Sequence, residues 1–129
     1  MSDLEQLIKV KIGRANKNLE VGKLLIDNGY CEEAINRLYY ACFYAVQAVL
    51  LKKNIKPVTH KGVQQMFGFH YVKTKEITEE HGNFFSRIFQ LRQIGDYADF
   101  SEFNEEIVRA FFKDAGIFIQ VIEKIIEQE

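Results

Sequence analysis

From Ala34 to Leu51 the chain is apolar almost without interruption, with Asn36, Arg37 and Gln47 as its strongly polar residues. A run of that kind becomes either a membrane span or the central helix of a packed bundle. Its length is near what a bilayer needs, but a guanidinium and two carboxamides inside it count against insertion. Ala34, Ala41, Ala45 and Ala48 supply small residues at helical spacing, which suits close helix packing. The segment is therefore expected to be a buried helix touching several neighbours, with no membrane involved. Arg37 must then either reach the surface along its stem or meet a carboxylate or ring inside.

The helical period recurs on both sides of this run, and no stretch alternates convincingly. Leu4, Leu7, Ile8, Ile12, Ala15, Leu19, Gly22, Leu25 and Ile26 form one apolar stripe, ended by Asn28-Gly29. The second helix runs from Tyr30 or Cys31 to Lys53. Asn54 to Val58, with the chain's single proline at Pro57, is the clearest break. Thr59 or His60 begins a short third helix, reaching Tyr71 at most. After a loop over Lys73 to Ile77, Thr78 is placed to cap a fourth helix carrying Phe84, Phe85, Ile88, Phe89, Leu91, Ile94 and Ala98. Ser101 or Asn104 starts the last helix, through Ile107, Phe111, Phe118, Ile122 and Ile125. The expected fold is all-α, an antiparallel up-and-down four-helix bundle with one extra short helix. A faint echo of Glu33 and Arg37 in Glu105 and Arg109 reads as shared helix grammar rather than duplication.

At 129 residues, the chain is expected to form a single domain, residues 1–129, with a real core. A net charge of −1 argues against strong nonspecific nucleic-acid binding and leaves room for a local basic cleft. The start, Met1-Ser2-Asp3-Leu4-Glu5, lacks a basic-then-apolar signal pattern, so a cytoplasmic location is expected. Cys31 and Cys42 lie on one helix, roughly 16 Å of rise apart, too far for a disulfide between them. No phosphate-cradling loop and no nucleophile elbow occurs. His60, His70 and His81 are isolated in sequence, so neither a metal site nor a cofactor is expected.

Two polar islands remain. Asn36-Arg37 interrupts the second helix, and Arg92-Gln93-Ile94-Gly95-Asp96-Tyr97 interrupts the fourth. Arg92, Gly95 and Asp96 share a helix face, being three and four apart. Gly95 inside a helix signals close approach by another helix or a ligand. The two islands suggest one composite site. In the plainer alternative, Asp96 and Arg37 form a buried ion pair across the bundle, with the Arg37 stem on Tyr40 and Tyr44.

Three stretches together resemble small proteins of the HEPN family (higher eukaryotes and prokaryotes nucleotide-binding). They are Glu33 to Ala45, Thr59-His60-Lys61-Gly62-Val63 and Arg92 to Tyr97. The resemblance implies a four-helix core, a homodimer with its polar cleft at the dimer interface, and RNA or nucleotide as ligand. It also implies a toxin–antitoxin type pair with a minimal nucleotidyltransferase. Many relatives are metal-independent endoribonucleases whose signature is an Arg followed four to six residues later by His. Arg92 matches the Arg, whereas the downstream positions hold Tyr97, Ala98 and Asp99. Catalysis would then fall to Arg92 with Asp96 or Tyr97, with Arg37, Tyr40, His60 and Lys61 in binding. Tyrosine is a poor general base at neutral pH, although His60 has a route to the site from the start of the third helix. Three functions stay open: a binding module of such a pair, with Tyr97 a plausible target for modification by the transferase, an endoribonuclease toxin, and a noncatalytic structural dimer.

Overall fold

The computed structural model describes residues 2–95 and 104–128, and of residues 94 and 95 the backbone alone. Four long helices and a short one form, named here α1 (Asp3–Asp27), α2 (Cys31–Lys52), α3 (His60–Phe67), α4 (Glu79–Gly95) and α5 (Glu105–Glu127). No strand occurs among the described residues.

All the helices but α2 start where a side-chain oxygen takes up an otherwise unpaired backbone amide. Ser2 accepts from the Glu5 amide at 3.1 Å, Thr59 from Gly62 at 2.9 Å and Asn104 from Ile107 at 2.9 Å. Thr78 does the same for His81 at 3.3 Å. α1 stops at Gly29, whose φ of +85° places it in the left-handed region. The third helical segment outlasts its α turns. Gly68–Val72 continues it as a π-helix, with the Lys73 amide bonding the Gly68 carbonyl at 2.8 Å. The segment thus ends one residue beyond the expected limit of Tyr71.

Contacts between helix ends fix the directions. Ile8 near the start of α1 packs with Ala48 and Leu51 near the end of α2, while Gly22 near the end of α1 faces Leu38. Asp27, closing α1, pairs with Arg109 at the start of α5 at 2.9 Å. Lys52 at the end of α2 reaches the Ile126 carbonyl at the end of α5 at 2.6 Å. The result is an up-and-down bundle in which α2 touches α1, α3, α4 and α5.

Burial follows that centrality. Ala34, Ala41, Ala45 and Ala48 of α2 are wholly buried, so neighbouring backbones come close, as their spacing predicts. Tyr39, Phe67, Phe85 and Phe118 form a ring cluster with centroid separations of 5.4 to 6.5 Å, within the range where aromatic pairs attract. Cys31 and Cys42 are free thiols, and burial pushes the Cys42 thiol far above its usual value. No helix among the described residues is long and apolar enough to cross a membrane.

Candidate functional site

Beyond its first turn, α2 keeps six residues accessible: Asn36, Arg37, Tyr40, Tyr44, Gln47 and Lys52. Asn36, Tyr40, Tyr44 and Gln47 are four, four and three apart, so they form one stripe along the helix. All four are polar or amphipathic. The central helix thus offers solvent a single polar seam.

Arg92, near the end of α4, lies across the upper part of this seam. Its Nε donates to Asn36 Oδ1 at 3.4 Å, and an Nη donates to the Tyr40 hydroxyl at 3.2 Å. The guanidinium carbon stands 5.2 Å from the Tyr39 ring centre and 5.3 Å from that of Tyr40, close enough for cation–π attraction to both. These partners hold the group in place without cancelling its charge. No carboxylate among the described residues pairs with Arg92. A planar guanidinium that meets only neutral partners among the described residues is suited to a phosphate or carboxylate.

His60 opens α3 beside this group. Its Nδ1 lies 2.6 Å from the Tyr39 hydroxyl, its ring stacks on Phe43 at 4.5 Å, and it meets Tyr40 edge-on at 5.8 Å. Burial, then the Arg92 charge, lower the His60 pKa below the ordinary histidine value, so the imidazole is neutral at neutral pH. Burial raises the Tyr39 phenol far above its usual range, so that partner remains a hydroxyl. The pair then has two arrangements. Tyr39 donates to a bare Nδ1 and Nε2 carries the proton, or Nδ1 donates to Tyr39 and Nε2 is a free base.

The structure therefore brings Arg92, Tyr40 and His60 together and adds Asn36 and Tyr39. Lys61 is the exposed second residue of α3. Arg37 takes the surface route, being exposed and donating to Asn18 of α1 at 3.3 Å. Arg37 is thus not buried, and the other half of the expected pair, Asp96, falls outside the described residues. Tyr44, expected under the Arg37 stem, is instead faced by Lys11 and Arg14. Asp96 and Tyr97 lie outside the described residues. Tyr39 was hidden in the sequence as one more core aromatic, while Asn36 was marked only as the neighbour of Arg37.

Comparison with known proteins gives a consistent answer. The model of a family described as HEPN domain matches residues 8–125. A Thermotoga maritima protein named UPF0332 protein is 40% identical over 127 residues, 98% of this chain and 96% of its own length. Two Methanocaldococcus jannaschii proteins bear the names "Putative toxin MJ0605" and "Putative toxin MJ0142". They are 32% and 33% identical over 98% and 95% of this chain, and over 93% and 80% of their own lengths. With the family model spanning nearly the whole bundle and such relatives aligned end to end, this chain belongs to the HEPN domain family.

Proposed function

We propose that the chain is the HEPN module of a toxin–antitoxin type pair, binding RNA or nucleotide through Arg92 in a cleft completed by a second copy of itself. One observation carries the reading. The Arg92 guanidinium is held by neutral groups alone among the described residues, so its charge is left for a ligand phosphate. The names borne by the two Methanocaldococcus relatives support the toxin role, and the other member of the pair is proposed to be a minimal nucleotidyltransferase. With RNA as ligand, the working compartment is the cytoplasm.

A second reading, a metal-independent endoribonuclease, is favoured by the place of His60. With Nδ1 turned to Tyr39, the bare Nε2 takes the proton of a ribose 2′-hydroxyl. The 2′-oxygen then attacks the adjacent phosphorus, the 5′-oxygen leaves with a proton from water, and Arg92 balances the charge gathering on the phosphoryl oxygens. In this reading Asp96 or Tyr97, which follow Gly95 in the sequence, assists.

Binding and cleavage of a mixed single-stranded RNA, without metal and with Arg92→Ala alongside, test both readings. Loss of a charged contact worth about 2 kcal/mol corresponds to roughly thirtyfold weaker binding. Equal binding by both proteins overturns the phosphate site. Binding without cleavage leaves the module and removes the enzyme.

A further inference from the structure

The polar seam of α2 continues past the Arg92 cradle. Tyr44 lies one turn on, its ring centre 6.1 Å from that of Tyr40. Two cations of α1 face it, Lys11 Nζ at 5.4 Å and Arg14 Cζ at 5.8 Å from the ring centre. Burial and the neighbouring Arg14 lower the Lys11 pKa, the mark of an ammonium crowded by apolar surface and like charge.

Next on the seam, Gln47 lines a cavity of about 190 Å³ with Leu7, Lys11, Leu51, Ile55, Lys56 and Pro57. Its Oε1 is buried and makes no hydrogen bond. A buried acceptor without a donor costs roughly 1–3 kcal/mol, and the terminal torsion of a glutamine is broad enough to turn the carboxamide toward the cavity. The cavity is smaller than the roughly 300–1,000 Å³ of drug-sized ligand sites, so it suits one ring rather than a whole nucleotide. Its lining is an apolar floor, one carboxamide and two ammonium groups, with no acid. A flat ring with an N–H edge, attached to an anion, complements each of these.

We infer that this cavity is a second subsite for single-stranded RNA, taking one unstacked base whose edge donates to Gln47. Tyr44 stacks the neighbouring base, while Lys11, Arg14 and Lys56 hold the phosphates between. Aromatic rings interleaved with cations along one groove are how single strands are held without a duplex. Gln47 lies seven positions beyond Tyr40 on α2, about 10 Å of rise, so an oligonucleotide spans both subsites and a dinucleotide occupies the cradle alone. The inference rests on reading the cradle as a phosphate site.

The test is fluorescence anisotropy with an end-labelled adenylate hexamer and the dinucleotide, at fixed low salt. Gln47→Leu preserves volume and removes the unbonded carboxamide, so the fold is retained and its melting temperature holds or rises. Gln47→Leu and Lys11→Gln are each expected to weaken the hexamer about fivefold and leave the dinucleotide unchanged, while Arg92→Ala weakens both. Wild-type hexamer affinity in both seam variants, with Arg92→Ala impaired, overturns the subsite and spares the cradle. If no form binds the hexamer, the cradle reading fails, and NMR titration with 5′-AMP decides the subsite. A shift of the Gln47 side-chain amide that disappears in Lys11→Gln upholds it, and an unmoved amide sinks it.

Discussion

Lys53 and Arg92 are both cations laid on tyrosine rings, and among the described residues one meets a carboxylate and the other does not. Lys53 Nζ sits 4.1 Å from the centre of the Tyr71 ring. It also donates to Glu76 Oε2 at 2.5 Å and to the His70 carbonyl at 2.6 Å. That charge is neutralised where it stands. Lys53's hydrogen bond, then that of Thr74, hold the Glu76 carboxyl below its ordinary value, as a closed pair should. Arg92 has the rings but only neutral oxygen partners among the described residues. The aromatic platform is common to both ends of α2, so the carboxylate makes the difference between a clamp and a docking point.

The sharpest way to break the comparison is to close the open end. Asn36→Asp sets a carboxylate against the Arg92 guanidinium and is expected to weaken RNA binding about tenfold or more. Anisotropy measures the loss, and the melting temperature should stay level or rise. Undiminished binding would mean that the charge of Arg92 is not what the ligand meets.

The closed end answers in stability instead. The Tyr71 hydroxyl donates to the Val49 carbonyl at 2.5 Å, an acceptor that the Lys53 amide abandons for Leu50 where α2 ends. Tyr71→Phe removes that donor and should cost about 1 kcal/mol in urea denaturation. Burial, then Glu76, raise the Tyr71 pKa from 10.0 to about 12. A raised phenol stabilises the fold below the unfolded value, and that share disappears as pH climbs from 10 through 12. The alkaline decline should be shallower in Tyr71→Phe.

The smallest effect comes from opening the clamp. Glu76→Gln frees a pair in which both side chains are partly exposed, so a loss of at most about 1 kcal/mol is expected. RNA affinity should be unchanged. Since the Glu76 pKa is lowered on folding, its contribution is present above the ordinary carboxylate value and lost as pH falls through the folded one. Stability of wild type and variant should therefore converge in acid, and a constant gap across pH would show that the ion pair is not its source.

The bundle was readable because its determinants are local and repeated. Gly29 stops α1, Thr59 and Asn104 cap where caps were expected, and the alanine spacing of α2 announces its burial. The π-helix at Gly68–Val72 was not readable, since Tyr71 is drawn to Val49, a partner distant in sequence. The same limit applies to the site. Arg92 and Tyr40 stand out as polarity in apolar helices, but one residue of helix is about 100° of rotation, enough to put Asn36 against Arg92 and Arg37 against α1. The Tyr39–His60 bond depends on how α3 lies on α2, and no spacing within either helix encodes that.

The seam has a spectroscopic corollary. Tyr39, Tyr40 and Tyr44 are three of six tyrosines, and the chain has no tryptophan. Tyrosine emission therefore has no indole acceptor to drain into, and half of the emitters lie on the helix whose rings carry Arg92, Lys11 and Arg14. A base stacking on that helix changes the native fluorescence directly, making the unlabelled protein its own reporter of occupancy.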